Sequence, residues 1–293
     1  MNIVEVEKLT KCYGEENAVK DFSFILEAGT STALIGPNGA GKTTSLSMLA
    51  NLLTPTSGNI TMEKDLSIGF LPQYPQFFPW LTAIEFTELA AKLSGIEAKK
   101  ARLQAVKTLE FVGLETSLTK KIGSFSGGMK QRLGLAQAIV HQPKLLLLDE
   151  PISALDPTGR REIMNLLKSL QQDTTILYST HILNDAEEMT DQLLFMKDGF
   201  LIEQGSLEKV KEKHADPSIR IKFGNHTQAL EFMSNQLWAH EVKTNLILIP
   251  VSEAGPTMQQ VLHALSIAEQ DVRGVEFQEA SLEEIFLKVV ADR

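Results

Sequence analysis

A single cysteine, Cys12, among 293 residues removes several chemistries at once. No internal disulfide forms from one thiol, and no cysteine pair exists to hold a zinc finger or an iron-sulfur cluster. Cys12 itself reads as a small packing residue. Positive charge is also in deficit, with 28 Lys and Arg against 37 Asp and Glu and a formal net charge of -9. Non-specific duplex binding needs cations that displace counterions from phosphates, so this balance predicts no direct nucleic-acid partner. Long apolar runs are missing too. The four leucines at 145–148 come closest, far short of the roughly 20 apolar residues that span a bilayer, so any membrane role must come through a partner. The start, MNIVEVEKLTKCYG, alternates apolar and charged residues like a strand. It lacks the positive head and apolar core of a secretory signal, which predicts a cytoplasmic chain.

With 43% hydrophobic and 22% charged residues, the chain has the make-up of a globular protein with room for one large α/β domain and a smaller one. The first half alternates short apolar runs with helical stretches, the pattern of a largely parallel sheet. A strand at 31–35 runs into a glycine-rich turn, and residues 45–53 read as a helix stopped by Thr54-Pro55-Thr56-Ser57-Gly58. Residues from about 77 to 140 form a helical insert. Within it, Thr82 and Glu85 fit a capping box, and Phe86, Leu89, Ala90 and Leu93 recur at helical spacing. Runs at 144–148 and 175–179 read as strands buried on both faces.

A charged stretch ending in Ala215-Asp216-Pro217-Ser218 reads as a linker, placing a domain boundary near Asp216, with domains 1–216 and 217–293. Beyond it the order is strand 219–223, helix 227–237, two strands about Asn245, helix 257–269, strand 272–278 and helix 282–290. That order predicts a small split βαβ domain of α+β type.

Gly36-Pro37-Asn38-Gly39-Ala40-Gly41-Lys42-Thr43-Thr44 has the spacing of a P-loop, with the required strand before it and helix after it. Its glycines permit backbone conformations that turn consecutive N–H groups inward around an anion at the positive end of a helix. Lys42 then reaches the β and γ phosphates, Thr43 offers a hydroxyl to Mg²⁺, and Thr44 is placed to touch the α phosphate.

Two carboxylates, Asp149 and Glu150, follow the four leucines at the carboxyl end of a strand, where open α/β sheets place their ligands. Asp149 is suited to hold Mg²⁺ through water, and Glu150 to polarise the water that attacks the γ phosphate. Taken alone, an acid after an apolar strand is more often a helix cap. His181 follows the strand at 176–180 and reaches the same crevice, where an imidazole would hydrogen-bond the departing phosphate.

A second anion site opens at Ser124-Phe125-Ser126-Gly127-Gly128-Met129-Lys130-Gln131-Arg132, a serine cap and two glycines at the start of a long helical stretch. Here the chain resembles the ATP-binding-cassette ATPases, whose signature is Leu-Ser-Gly-Gly-Gln; Phe125 and Met129 stand at its edges. The resemblance covers residues 2–205 and includes Tyr13, the P-loop, Gln73, Ser126-Gly127-Gly128, Asp149-Glu150, the Ser-Ala-Leu-Asp run ending at Asp156, and His181, in that order.

The resemblance implies a P-loop fold with a parallel-sheet core, an N-terminal antiparallel β part and a helical subdomain. It implies that Tyr13 stacks on adenine, that Gln73 touches Mg²⁺ or the attacking water, and that Asp156 lies in a segment crossing between subunits. Ser126, Gly127 and Gly128 of one subunit would cap the ATP held by the P-loop of another, so a homodimer with two competent sites is expected. In such a family Phe77, Phe78, Pro79 and Trp80 would help receive a cytoplasmic helix of a polytopic permease; the alternative is that these aromatics fill the insert's own core. The tail from Glu279 to Lys288 is similar to the end of ATPases serving ABC-2-type exporters of drugs, antibiotics, peptides or polysaccharides. Such a subunit would lie on the inner face of the cell membrane through its permease. The tail domain would regulate the ATPase, help dimerise it, or serve as a structural extension. A soluble ATPase acting on an assembly scaffold would carry the same engine. A nucleic-acid machine would show tandem cassettes, a coiled-coil insertion, zinc cysteines or a basic arm.

Overall fold

The computed structural model describes residues 1–293 apart from Ala154, 215–216, 253–254, 279–280 and 292–293. The expected boundary at Asp216 and the first two residues of the tail motif lie outside the described residues. Two compact units divide between Leu207 and Glu208.

The first unit opens with β1 (Asn2–Tyr13), β2 (Glu16–Glu27), β3 (Ser31–Ile35), α1 (Lys42–Leu49), β4 (Ser57–Met62) and β5 (Ile68–Leu71). A helical insert follows as α2 (Ala83–Leu93), α3 (Ala98–Phe111) and α4 (Gly127–Ile139). The chain then returns to the core through β6 (Leu145–Leu148), α5 (Pro157–Leu170), β7 (Thr175–Thr180), α6 (Leu183–Met189), β8 (Gln192–Lys197) and β9 (Phe200–Ser206).

Three antiparallel strands in the order β2-β1-β4 form the N-terminal β part. Six strands in the order β5-β6-β7-β3-β8-β9 form the main sheet, parallel except for β9. Every residue of β3, β6 and β7 is buried. Their unbroken apolar and β-branched runs therefore meet neighbours on both faces, as central parallel strands require. Leu34, Leu145, Leu147 and Leu177 share one cluster with Phe22, Phe24 and Leu26 from the antiparallel part.

The four parallel strands β5, β6, β7 and β3 are adjacent, so the segments leaving their carboxyl ends converge on one edge. Gln73 follows β5, Asp149 and Glu150 follow β6, His181 follows β7, and the P-loop follows β3. The helix after the P-loop starts at Lys42 rather than at residue 45 and ends at Leu49 rather than 53. The early start puts Lys42, Thr43 and Thr44 in its first turn, where backbone N–H groups lack helical acceptors and face outward. The early end is set by Asn51, whose φ of 56° is left-handed.

In the insert, Thr82 accepts from the Glu85 N–H while the Glu85 carboxylate accepts from the Thr82 N–H, the capping box read from sequence. Those bonds hold the Glu85 carboxyl below its ordinary value. The irregular segment before it, 72–82, carries the aromatic residues.

The second unit contains all but the first residue of α7 (Leu207–His214), then β10 (Ser218–Phe223), α8 (His226–Ser234), β11 (Glu241–Lys243), β12 (Leu246–Pro250), α9 (Met258–Ile267), β13 (Val272–Gln278) and α10 (Leu282–Ala291). Its antiparallel sheet runs β11-β12-β10-β13, with Ile219, Ile221, Phe223, Ile247 and Ile249 packed on Phe232, Met233 and Val261 from α8 and α9. Both βαβ halves have the split order predicted from the tail. Helix α8 stops at Ser234, three residues before the expected end, with Asn235 as its cap.

Candidate active site

The P-loop is shaped by two close approaches. A Cβ at Gly36 would lie 2.3 Å from the Met196 carbonyl, and one at Gly41 would lie 2.3 Å from the Ala18 carbonyl. Gly41 also has φ of +100°, the left-handed region open to glycine at little cost. The loop is thereby pressed between the end of β8 and the start of β2. It lines a cleft of about 540 Å³ together with Gln73 and Glu150. Asn38, Gly39, Ala40, Gly41, Lys42, Thr43 and Thr44 all reach that cleft.

Lys42 is buried, and its ammonium donates to the Gly36 carbonyl at 2.7 Å and the Pro37 carbonyl at 3.1 Å. It also faces Glu150 Oε1 at 3.5 Å. The other Glu150 oxygen, Oε2, lies 2.8 Å from His181 Nδ1. Lysine, glutamate and histidine from three different strand ends thus form one continuous polar contact. Glu150 is held with φ of 50°, a left-handed conformation that is unusual for a non-glycine residue and clusters at functional sites.

Asp149 is 1% exposed. Its Oδ1 accepts a 2.6 Å hydrogen bond from the Ser179 hydroxyl, while its Oδ2 is buried without a hydrogen-bond partner. A buried, unsatisfied carboxylate oxygen is costly unless something cationic or hydrated completes it. Its hard oxygen donor, at the strand end beside the P-loop, fits a magnesium ion held directly or through water.

Not every predicted residue reaches the cleft. Tyr13 closes the β1-β2 hairpin, half exposed, opposite Glu16 in register, and Glu16 lines the cleft. The Lys11 ammonium sits 5.3 Å from the centre of its ring. Ser126 caps α4 by accepting from the Met129 N–H at 3.3 Å, and a Cβ added at Gly127 would meet nothing within 4 Å. Ser126, Gly127 and Gly128 are not among the residues lining the cleft of their own chain. Asp156 caps α5 by accepting from the Gly159 N–H at 2.9 Å, with Pro157 in the first turn.

Sequence reasoning missed Glu16, Asn17, Ala18 and Asp198, which complete the cleft wall from the β1-β2 hairpin and the β8-β9 turn. No local pattern marks them; only the fold brings them there. Cys12, expected as packing, is half-buried with its thiol donating to Asn17 Oδ1 at 2.8 Å. Gln131 was also missed. Buried in α4, it donates to the Pro151 carbonyl at 2.8 Å, tying the serine-glycine helix to the turn that follows Glu150.

The family model described as ABC transporter matches residues 19–153, and that described as ATP-binding protein DrrA1-3-like, C-terminal domain, matches residues 205–290. The ABC transporter ATP-binding protein YxlF of Bacillus subtilis (strain 168) is 41% identical, over 98% of this chain and 99% of its own. The bacitracin transport ATP-binding protein BcrA of Bacillus licheniformis is 34% identical over 98% of this chain and 97% of its own. Linearmycin resistance ATP-binding protein LnrL of Bacillus subtilis (strain 168) is 30% identical over 98% of each chain. Among solved structures, the dimeric ATP-binding cassette MJ0796 bound to ADP and phosphate superposes with a TM-score of 0.64 at 30% identity, covering 70% of this chain and 99% of that one. Cleft, strand-end carboxylates and full-length relatives agree: the chain belongs to the ABC transporter ATP-binding proteins, the family's ATP-hydrolysing subunits, and carries their DrrA-like C-terminal domain.

Proposed function

We propose that the chain powers a separate ABC-2-type permease exporting a drug, antibiotic, peptide or polysaccharide-type cargo, as a homodimer that uses Mg²⁺ and ATP. The observation that carries the hydrolytic chemistry is the contact chain Lys42, Glu150 and His181 at adjacent strand ends. Glu150 accepts the proton of the attacking water, and His181, bonded to it, fixes the carboxylate and contacts the departing phosphate. Lys42 draws the β and γ phosphates into the loop. Thr43, Gln73 and Asp149 would hold Mg²⁺, which when bound supplies positive charge to the phosphate oxygens.

Ser126, Gly127 and Gly128 stand away from their own cleft, with open space beside Gly127, an arrangement that suits capping the ATP of a second copy. ATP bound between two copies favours the closed pair, and its conversion to ADP and phosphate removes that preference. Asp156 would lie at the same junction. The relatives named for bacitracin transport and linearmycin resistance support an export role. Phe77 packs inward on Phe86 with ring centres 5.2 Å apart, whereas Phe78 and Trp80 remain 46% and 64% exposed. An exposed aromatic pair beside the Gln73 loop suits a permease segment, and through such a partner the subunit would lie on the inner face of the membrane.

A mixing experiment tests the composite site. Lys42→Ala and Ser126→Arg chains are each expected to be inactive. Mixed, they form pairs that carry one intact P-loop facing one intact serine-glycine cap, and ATPase activity returns. No recovery in a mixture shown to exchange subunits contradicts the shared-site reading.

A further inference from the structure

Ser179 sits in β7 two residues before His181 and is 0% exposed. A fully buried central strand position favours valine or isoleucine, so a hydroxyl there calls for a reason. Its neighbours supply one. β6 and β7 are parallel with Leu148 opposite Tyr178, and the next step along that register sets Asp149 beside Ser179. The Ser179 hydroxyl donates to Asp149 Oδ1 at 2.6 Å and accepts the Glu150 backbone N–H at 2.9 Å.

A serine hydroxyl has one proton and two lone pairs, and here the proton is committed to the carboxylate while a lone pair meets the amide. One side chain therefore grips both members of the Asp149-Glu150 pair. Tying Oδ1 leaves Oδ2, the oxygen without a hydrogen-bond partner, as the free face of Asp149. Tying the Glu150 N–H helps keep that residue in its left-handed backbone conformation, the one in which its carboxylate meets both Lys42 and His181.

We propose that Ser179 is a positioning residue: it orients the metal-facing oxygen of Asp149 and the backbone of Glu150 together. The proposal rests on the assignment of Asp149 to Mg²⁺ and Glu150 to the base. Ser179→Ala leaves a buried amide and a buried carboxylate oxygen unpaired at once, so the change reaches the cleft through Asp149 and Glu150 while Ser179 itself is not among the residues that line it.

The test uses the full-length chain in a Glu150→Gln background with ATP and Mn²⁺, read by electron paramagnetic resonance titration. Ser179→Ala is expected to raise the Mn²⁺ dissociation constant about tenfold or more, the usual scale for losing an outer partner of a metal ligand. ATP affinity in EDTA is expected to stay within about twofold, because the P-loop is untouched. With Glu150 restored, kcat falls about tenfold or more while KM for ATP holds. Ser179→Thr, which returns the hydroxyl, brings Mn²⁺ affinity back to within about threefold of the parent. Should Ser179→Ala not fold, Ser179→Cys, close in volume and a weaker donor, is read in its place by the same criteria. Mn²⁺ affinity unchanged by Ser179→Ala, or a threonine variant as weak as alanine, overturns the proposal. Asp149→Asn separates the two layers of the argument. If it too leaves Mn²⁺ binding unchanged, the metal assignment fails; if it weakens binding and Ser179→Ala does not, only the role of Ser179 fails.

Discussion

Glu150→Gln replaces one carboxylate oxygen by an amide nitrogen and leaves the side-chain shape in place, which makes it the sharpest probe of the cleft. The carboxylate is 5% exposed, 3.5 Å from the Lys42 ammonium and 2.8 Å from the His181 ring. A positioned general base contributes about 10²- to 10⁴-fold, equivalent to roughly 3 to 5 kcal/mol of barrier. Binding is expected to move in the opposite direction. At 3.5 Å and an effective dielectric of about 20, the gross attraction between Lys42 and Glu150 is about 5 kcal/mol, much of it offset by desolvation. An arriving phosphate competes with Glu150 for Lys42, and the neutral amide ends that competition. Lys42 keeps its carbonyl partners Gly36 and Pro37, so the loop retains its shape. ATP affinity therefore holds or rises while turnover falls about a thousandfold, and ATP-bound chains accumulate as closed pairs. Single-turnover hydrolysis, equilibrium ATP binding and size-exclusion chromatography measure the three quantities. Turnover within about tenfold of the parent refutes the base assignment. A large loss of ATP affinity would instead make Glu150 a support of the P-loop.

Lys42→Ala removes the only side-chain cation lining the cleft among the described residues and is expected to weaken ATP binding more than a hundredfold, on the order of 3 kcal/mol; unchanged affinity in a calorimetric titration contradicts the cradle. Gly41→Ala drives a Cβ to 2.3 Å from the Ala18 carbonyl at a φ of +100°. It should cost about 1–3 kcal/mol of stability and disturb nucleotide binding as well, and a melting curve identical to the parent's would show that the loop yields freely. Trp80→Asp puts a charge on a 64% exposed ring without disturbing the packing of Phe77, so basal ATPase stays within about twofold while transport is lost. Equal losses in both would place Trp80 in the packing of the insert.

Much of the candidate site was legible because its sequence signals are local. A P-loop declares itself through glycine spacing and the strand before it, and paired acids after four leucines mark the end of a buried strand. The capping box at Thr82 and Glu85 likewise depends on residues three apart. What escaped was whatever depends on strand order. Glu16, Asn17 and Asp198 reach the cleft because β2 and the β8-β9 turn fold over the P-loop, and no short window of sequence records that approach. Ser179 read as one more β residue until register set it beside Asp149. Asp156 was assigned to the junction between subunits by resemblance, and within one chain its carboxylate caps α5. The helix after the P-loop was placed three residues late because apolar periodicity begins at Leu46, whereas the first turn is made by Lys42, Thr43 and Thr44.

The central claim is that this ATPase drives a membrane partner, and its most direct test is to tag the chain in its native cell, solubilise the membranes in mild detergent and identify what co-purifies in stoichiometric amount. The account predicts a polytopic membrane protein whose presence changes the rate of ATP hydrolysis. A soluble scaffold or a ribonucleoprotein in its place, with no membrane protein, would leave the hydrolytic site standing and contradict the transport assignment.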